Sequence, residues 1–147
     1  AAIRYFEQHC MRDIFPEMQN LVRRLQQAGC EVWAVSSTNE WVIRAAMRHF
    51  GIPEEKILAA AAHIVEGKIT DRLLRVPTGK DKPKALYDAI HRAPDAAFGN
   101  SIWDVQMLGT ARHAFAINPT AQLEKIAKQR RWTVYLPDSV RAEIKDD

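Results

Sequence analysis

The chain has 147 residues, 47% of them hydrophobic and 27% charged, with a formal charge of +3, which suits a soluble globular domain with a sizeable core. Gly and Pro are sparse and no low-complexity tract appears, which excludes disorder except at the acidic C-terminal end. The longest small-apolar stretch, 57–62, is far too short for a membrane span, and the scattered basic residues prompt no nucleic-acid partner.

The chain opens Ala-Ala-Ile-Arg-Tyr-Phe, without Met, and already reads like the middle of a helix. Residues 1–15 are therefore expected to be a helical remnant of an upstream or cap segment, 16–136 an α/β core and 137–147 a C-terminal tail. Cys10 and Cys30 have neither disulfide-framework nor metal-ligand spacing, and one or both read as small buried apolar groups. Their scarcity fits a reducing cytoplasm, the expected location unless a signal peptide once preceded Ala1.

Pro16 opens a helix with Glu17 in its first turn and an apolar stripe of Met18, Leu21, Val22 and Leu25; Gly29 stops it. The Val- and Trp-containing run 31–35 predicts a buried parallel strand with Trp33 in its core. It ends in the polar loop Ser36-Ser37-Thr38-Asn39, and a helix follows over 40–50. The stretch from His63 predicts two strands joined at Glu66-Gly67-Lys68, a hairpin inserted into the α/β plan. Pro77-Thr78-Gly79 breaks the chain. A helix is expected over 82–91, a strand over 96–98, the loop Gly99-Asn100-Ser101 and a short helix through Met107. A strand over 113–117, a helix over 121–130 and a strand over 133–135 complete the chain. Strands alternating with helices predict a Rossmann-like parallel sheet flanked by helices.

In such a sheet ligands sit beyond the carboxyl ends of the strands. The loops 36–39 and 99–104 lie at such ends, and each runs into a helix whose first N–H groups favour an anion. Lys80, Lys82 and Lys84 precede or open the helix between them. Hydroxyl, lysine and Asn/Asp groups at one sheet edge point to a phosphate and a divalent metal. Other uses of the same residues remain open: Ser36 as a cap, Asn100 as a turn former, Asp104 as a dipole partner, and any of the lysines as a solvated charge. Trp41 and Trp103 each follow one of these loops; both are candidate substrate contacts, through cation–π attraction for a cationic group, or core residues.

Three stretches carry a family resemblance. Glu31-Val-Trp-Ala-Val-Ser-Ser37 is similar to the second motif of the haloacid dehalogenase (HAD) superfamily, a hydrophobic strand ending in Ser or Thr. Gly79-Lys-Asp-Lys82 resembles the third, a lysine before a helix. Gly99-Asn-Ser-Ile-Trp-Asp104 resembles the fourth, usually Gly-Asp-x-x-x-Asp. Their order, their intervals and the hairpin around Gly67 look like the phosphoserine-phosphatase-like subgroup, and the resemblance covers about 16–135. It implies that Ser36 and the Ser37 N–H bind the phosphoryl group, that Lys82 offsets the charge on that group and on the nucleophile, and that Asn100 and Asp104 help hold Mg2+. The substrate implied is a small phosphorylated metabolite, such as phosphoserine or phosphocholine; nothing indicates the oligomeric state.

Two departures stand out. The first family motif, Asp-x-Asp on a central strand, supplies nucleophile and general acid, and nothing here matches it; Asp13 lacks a preceding apolar strand. Without that strand, those around Val35 and Phe98 would lack the neighbour between them, so a natural chain longer at its N-terminus is expected. Asn100 stands where the family usually has Asp, which removes a negative charge from the metal side. The alternative function is a non-catalytic phosphate- or partner-binding module of the same fold.

Overall fold

A computed structural model describes residues 2–140; the tail expected over 137–147, with its acidic end, lies outside the described residues from 141 on. The chain divides into two compact units, Ala1–Pro77 and Thr78–Asp147. The division falls at the Pro77-Thr78-Gly79 break, where proline fixes φ and removes a donor.

In the first unit the opening residues are helical, as α1 (Ala2–His9). Phe6 of α1 is buried against Ala45 and Ala46 of α3 (Glu40–Arg48), with Cys10, Ile14, Val42 and Met47 around them. The small side chains on α3 let the two helices approach closely enough to cover the phenyl ring. In sequence α2 (Pro16–Gln27) follows α1, opened by Pro16 and closed beyond Ala28 by Gly29 at φ +83°. Gln19 and Gln26 of α2 donate side-chain N–H groups to the carbonyls of His49 (2.9 Å) and Gly51 (3.0 Å). The last carbonyls of α3 take backbone N–H groups from 49–52, and the two glutamines serve the carbonyls just beyond them.

The sheet of this unit has the order β1–β2–β3, with β1 at Ala34–Asn39, β2 at Ile57–Val65 and β3 at Lys68–Arg75. β1 pairs parallel with the first half of β2, Ala34 opposite Ile57 and Val35 opposite Leu58. The second half of β2 turns back antiparallel along β3 through Glu66 and Gly67, at φ +48° and +74°. Two successive positive φ values between the paired residues Val65 and Lys68 are the mark of a two-residue type I′ hairpin.

Three expectations are corrected here. The strand expected over 31–35 begins at Ala34 and continues to Asn39, so Ser36-Ser37-Thr38-Asn39 is strand and not loop. The reason is the partner: β2 begins at Ile57, well before His63, and Asn39 pairs with Ala60 across an irregularity in the register. Backbone pairing satisfies the polar segment whatever its side chains. Trp33 precedes the strand instead of lying in it, half-buried, with its indole N–H buried and unpaired. The stretch 57–62 is the buried part of β2, so the hairpin grows out of a parallel strand.

The second unit has the parallel order β4–β5–β6, at Ala96–Gly99, His113–Ile117 and Thr133–Tyr135. Its helices are α4 (Asp81–Ile90), α5 (Val105–Thr110) and α6 (Ala121–Arg130). Leu86, Ala97, Val105, Met107, Leu108, Ala116, Ile117, Leu123 and Ala127 are among its buried apolar residues. Phe98 and Phe115, directly paired across β4 and β5, stack with ring centroids 4.9 Å apart. Trp132, just before the last strand, has the Arg130 guanidinium 5.1 Å from its ring centroid. Among the described residues, β1 and β4 each pair on one side only, with β2 and β5 respectively. No described helix is long and apolar enough to cross a membrane.

Candidate functional site

The most ordered polar arrangement lies at the carboxyl end of β4. Asp104 is buried, with a relative exposure of 5%, and its carboxylate is used on both oxygens. Oδ1 accepts from Lys82 Nζ at 2.5 Å. Oδ2 accepts from the backbone N–H of Asn100 (3.0 Å), the backbone N–H of Ser101 (3.1 Å) and the Ser101 hydroxyl (3.3 Å). Ser101 and Asp104 thus form a capping box around the 3-10 turn Ile102–Asp104, satisfying N–H groups that the turn leaves without partners. Charge-assisted bonds of this kind are roughly twice as strong as neutral ones.

Gly99 is needed for this packing. An added Cβ there would lie 2.5 Å from Asp104 Cβ and 2.8 Å from its Cγ, so the carboxylate rests directly on a backbone without a side chain. Asn100 is held at both backbone ends. Its N–H goes to Asp104, and its carbonyl accepts from the Thr120 N–H at 2.8 Å. Thr120 also caps α6, its hydroxyl accepting from the Leu123 N–H at 3.4 Å. The Asn100 side chain is left exposed, without a hydrogen-bond partner among the described residues.

Lys82 sits in the first turn of α4, 7% exposed. Its N–H bonds to the Gly79 carbonyl at 3.3 Å, and Asp81 N–H bonds to Thr78 O at 2.9 Å, so a tight turn delivers the lysine to the helix. Gly79 stands at φ +47°, a left-handed conformation that a Cβ disfavours. One of the three ammonium donors is committed to Asp104; the other two remain for a ligand. Lys80 and Lys84 are exposed, and Lys84 lies 3.4 Å from Asp88 one helical turn away. Burial and pairing separate Lys82 from the other two lysines, which spacing alone left open. Trp103, between Ile102 and Asp104, is 61% exposed.

In the first unit the half-buried Ser36 accepts the Thr38 N–H on its hydroxyl at 3.1 Å, a local turn bond, and Ser37 is exposed. Asn39 caps α3, its Oδ1 accepting from the Trp41 N–H at 2.9 Å; Trp41 is half-buried. Cap and turn uses of these residues are therefore real, and the Ser36 hydroxyl proton is still free to be donated.

Among the described residues no group of three or more His, Cys, Asp or Glu side chains is placed to hold a metal ion. At the end of β4 the Asn100 amide oxygen is an exposed hard ligand of the kind Mg2+ takes. Asp104 Oδ1 accepts from Lys82 alone, while Oδ2 accepts from Asn100 and Ser101, so one Oδ1 lone pair is left for an ion or a water bound to it. Asn100 and Asp104 therefore fit part of a Mg2+ shell. Sequence reasoning missed Thr120 and the capping role of Ser101. The signals were Thr before the helix at Ala121, and Ser three residues ahead of an acid.

Comparison with known proteins gives the chain a family. The family model described as haloacid dehalogenase-like hydrolase matches residues 1–109. A phosphoserine phosphatase of Mycobacterium tuberculosis is 28% identical over 127 residues, 82% of this chain and 41% of the relative. A histidinol-phosphatase of Neisseria meningitidis serogroup C is 27% identical over 140 residues, 88% of this chain and 62% of the relative. A protein of unknown function from Bordetella pertussis Tohama I has a similar crystal structure, with TM-score 0.81 and 21% identity over 90% of this chain and 63% of that one. The chain thus spans less than two thirds of the length of each of these proteins.

Proposed function

Because the chain belongs to the haloacid dehalogenase-like hydrolase family, we propose that the protein carrying it is a Mg2+-dependent phosphomonoester hydrolase acting on a small phosphorylated metabolite. The observation that carries this reading is the buried Lys82–Asp104 pair at the end of β4, with the Asn100 side chain held outward beside it. A lysine buried with a single counter-ion keeps two directed donors in a low-dielectric setting, where they stabilise developing charge more than in water.

The roles follow residue by residue. The Ser36 hydroxyl donates to a phosphoryl oxygen, and the Ser37 N–H holds the same group. Lys82 offsets negative charge on the phosphoryl group and on the attacking carboxylate. Asn100 contributes one oxygen to the metal, and Asp104 holds the Lys82 ammonium and the Asn100 backbone in place. Mg2+, when bound, supplies positive charge against the phosphoryl oxygens and orients them for in-line attack. The nucleophile in this reading is an aspartate upstream of Ala1. Its carboxylate oxygen bonds to phosphorus as the alcohol leaves with a proton, and water then cleaves the aspartyl phosphate. Relatives named phosphoserine phosphatase and histidinol-phosphatase support phosphoserine among the substrates to try first; phosphocholine is tried beside it on the family resemblance alone. Free Cys10 and Cys30 support a reducing cytoplasm as its setting.

The test is hydrolysis of a generic aryl phosphate by the full-length protein, with and without Mg2+. Lys82→Ala is expected to lower kcat/KM by roughly 100-fold or more, the cost of removing one donor aimed at developing charge. Asn100→Asp is expected to lower the Mg2+ concentration giving half-maximal rate, because a full negative charge replaces an amide dipole. Unchanged kinetics in Lys82→Ala would remove that residue from the site, and an unchanged Mg2+ titration would remove Asn100 from the ion. A full-length protein without any hydrolysis would favour a phosphate-binding module.

A further inference from the structure

We infer that Thr120 is a positioning residue for the metal: through its backbone N–H it fixes the peptide from which Asn100 presents its amide oxygen. This rests on the Mg2+ reading of Asn100. The Asn100 side chain is exposed, so what orders it before binding is its own backbone. Strand register brings Thr120 within reach of that backbone. Gly99 pairs with Ala116 in the parallel strands β4 and β5, so the segments that follow leave the sheet side by side.

Residues 118–120 join β5 to α6, and this link is bonded in three directions. Asn118, at φ +42°, donates its N–H to the Tyr135 carbonyl of β6 at 2.8 Å. The Thr120 hydroxyl accepts the Leu123 N–H of α6 at 3.4 Å. The Thr120 N–H goes to the Asn100 carbonyl at 2.8 Å. The sequence explains why that last donor is available. In a capping box the N-cap N–H is taken back by a Glu or Gln three residues on. Here that position is Leu123, fully buried and without a side-chain acceptor.

The turn after β4 is built the other way. Asp104, three residues after Ser101, closes its own box and takes the Asn100 N–H as well. Asn100 is therefore fixed at its N–H by one cap and at its carbonyl by the other. With both flanking peptides held, the direction of its Cβ is set before an ion arrives. A ligand ordered in advance loses less freedom on binding. Each anchoring bond thus raises the affinity for Mg2+, and by linkage the bound ion must strengthen the bond by the same factor.

The experiment measures Mg2+ binding to the full-length protein by calorimetry, for the wild type, Thr120→Val and Thr120→Pro. Both variants lose the cap hydroxyl, but only proline loses the N–H; Thr120 stands at φ −58°, which proline adopts without strain. Thr120→Pro is expected to bind Mg2+ roughly 2- to 10-fold more weakly than Thr120→Val, the worth of one hydrogen bond. In the wild type, saturating Mg2+ is expected to slow hydrogen exchange at the Thr120 amide by a similar factor, and not at the Asn118 amide. This second measurement needs no variant and decides the matter where the proline variant does not fold. Equal affinities in the two variants, a Thr120 amide indifferent to Mg2+, or equal slowing of both amides overturns the inference and leaves the phosphatase reading intact. A wild type that binds no Mg2+ overturns the metal reading of Asn100, and the inference with it.

Discussion

Asp104 shows how one side chain organises a loop. Four donors converge on its carboxylate, from a helix, from two backbone positions and from a hydroxyl. Desolvating a carboxylate and an ammonium is expensive, and such a pair persists only when its remaining lone pairs are also satisfied. The arrangement depends on the absence of a side chain at Gly99. Gly99→Ala would force the carboxylate away from a Cβ otherwise 2.5 Å from Asp104 Cβ, so Lys82 and Asn100 would lose their common support. The expected outcome is a loss of about 1–3 kcal/mol in urea denaturation, the usual cost of overpacking, together with reduced activity if the proposed phosphatase function holds. A variant as stable and active as the wild type would mean that the carboxylate does not rest on Gly99.

Among the elements, α3 is capped rather than simply begun. The Asn39 side chain takes the Trp41 N–H, and the turn just past its far end receives Gln19 and Gln26 at His49 and Gly51. Asn39→Ala is expected to cost about 1 kcal/mol, read as a lowered urea midpoint with an unchanged m-value; an unaffected midpoint would show that water replaces the cap at no cost. Most elements were legible beforehand because punctuation and pattern coincide: Pro16 with Gly29, Glu66-Gly67, and the strand over 113–117. The start of β2 was not, because 57–62 is Ala-rich and lacks β-branched residues beyond Ile57, while its strand character comes from pairing with β1. Ser36 to Asn39 escaped notice for the same reason, polar side chains on a backbone whose partner is distant in sequence. At the site, Lys82 and Asp104 were legible as types at a spacing. Their direct pairing was not, since a contact between a helix turn and a strand-end loop is tertiary information.

At the scale of the molecule, each unit builds a three-stranded sheet, but from connections of different reach. In the second unit every strand pair is parallel and must wait for a crossover. In the first, β2 has two kinds of neighbour: one turn away along β3, and across α3 to β1. Short loops close at little entropic cost and hairpins form within microseconds, whereas non-local pairings come later. The type I′ turn at Glu66-Gly67 therefore acts as a clock as well as a corner. It readies the second half of β2 early, and that half then aligns Ile57 and Leu58 for a strand still unpaired. Pulse-labelled hydrogen exchange during refolding is expected to protect β2–β3 amides near the turn before those of Ala34 and Val35. Simultaneous protection would mean that the sheet closes as one step. In the expected order the segment bearing Ser36 is among the last parts of its unit to take shape, an order of assembly set by a glycine outside the site.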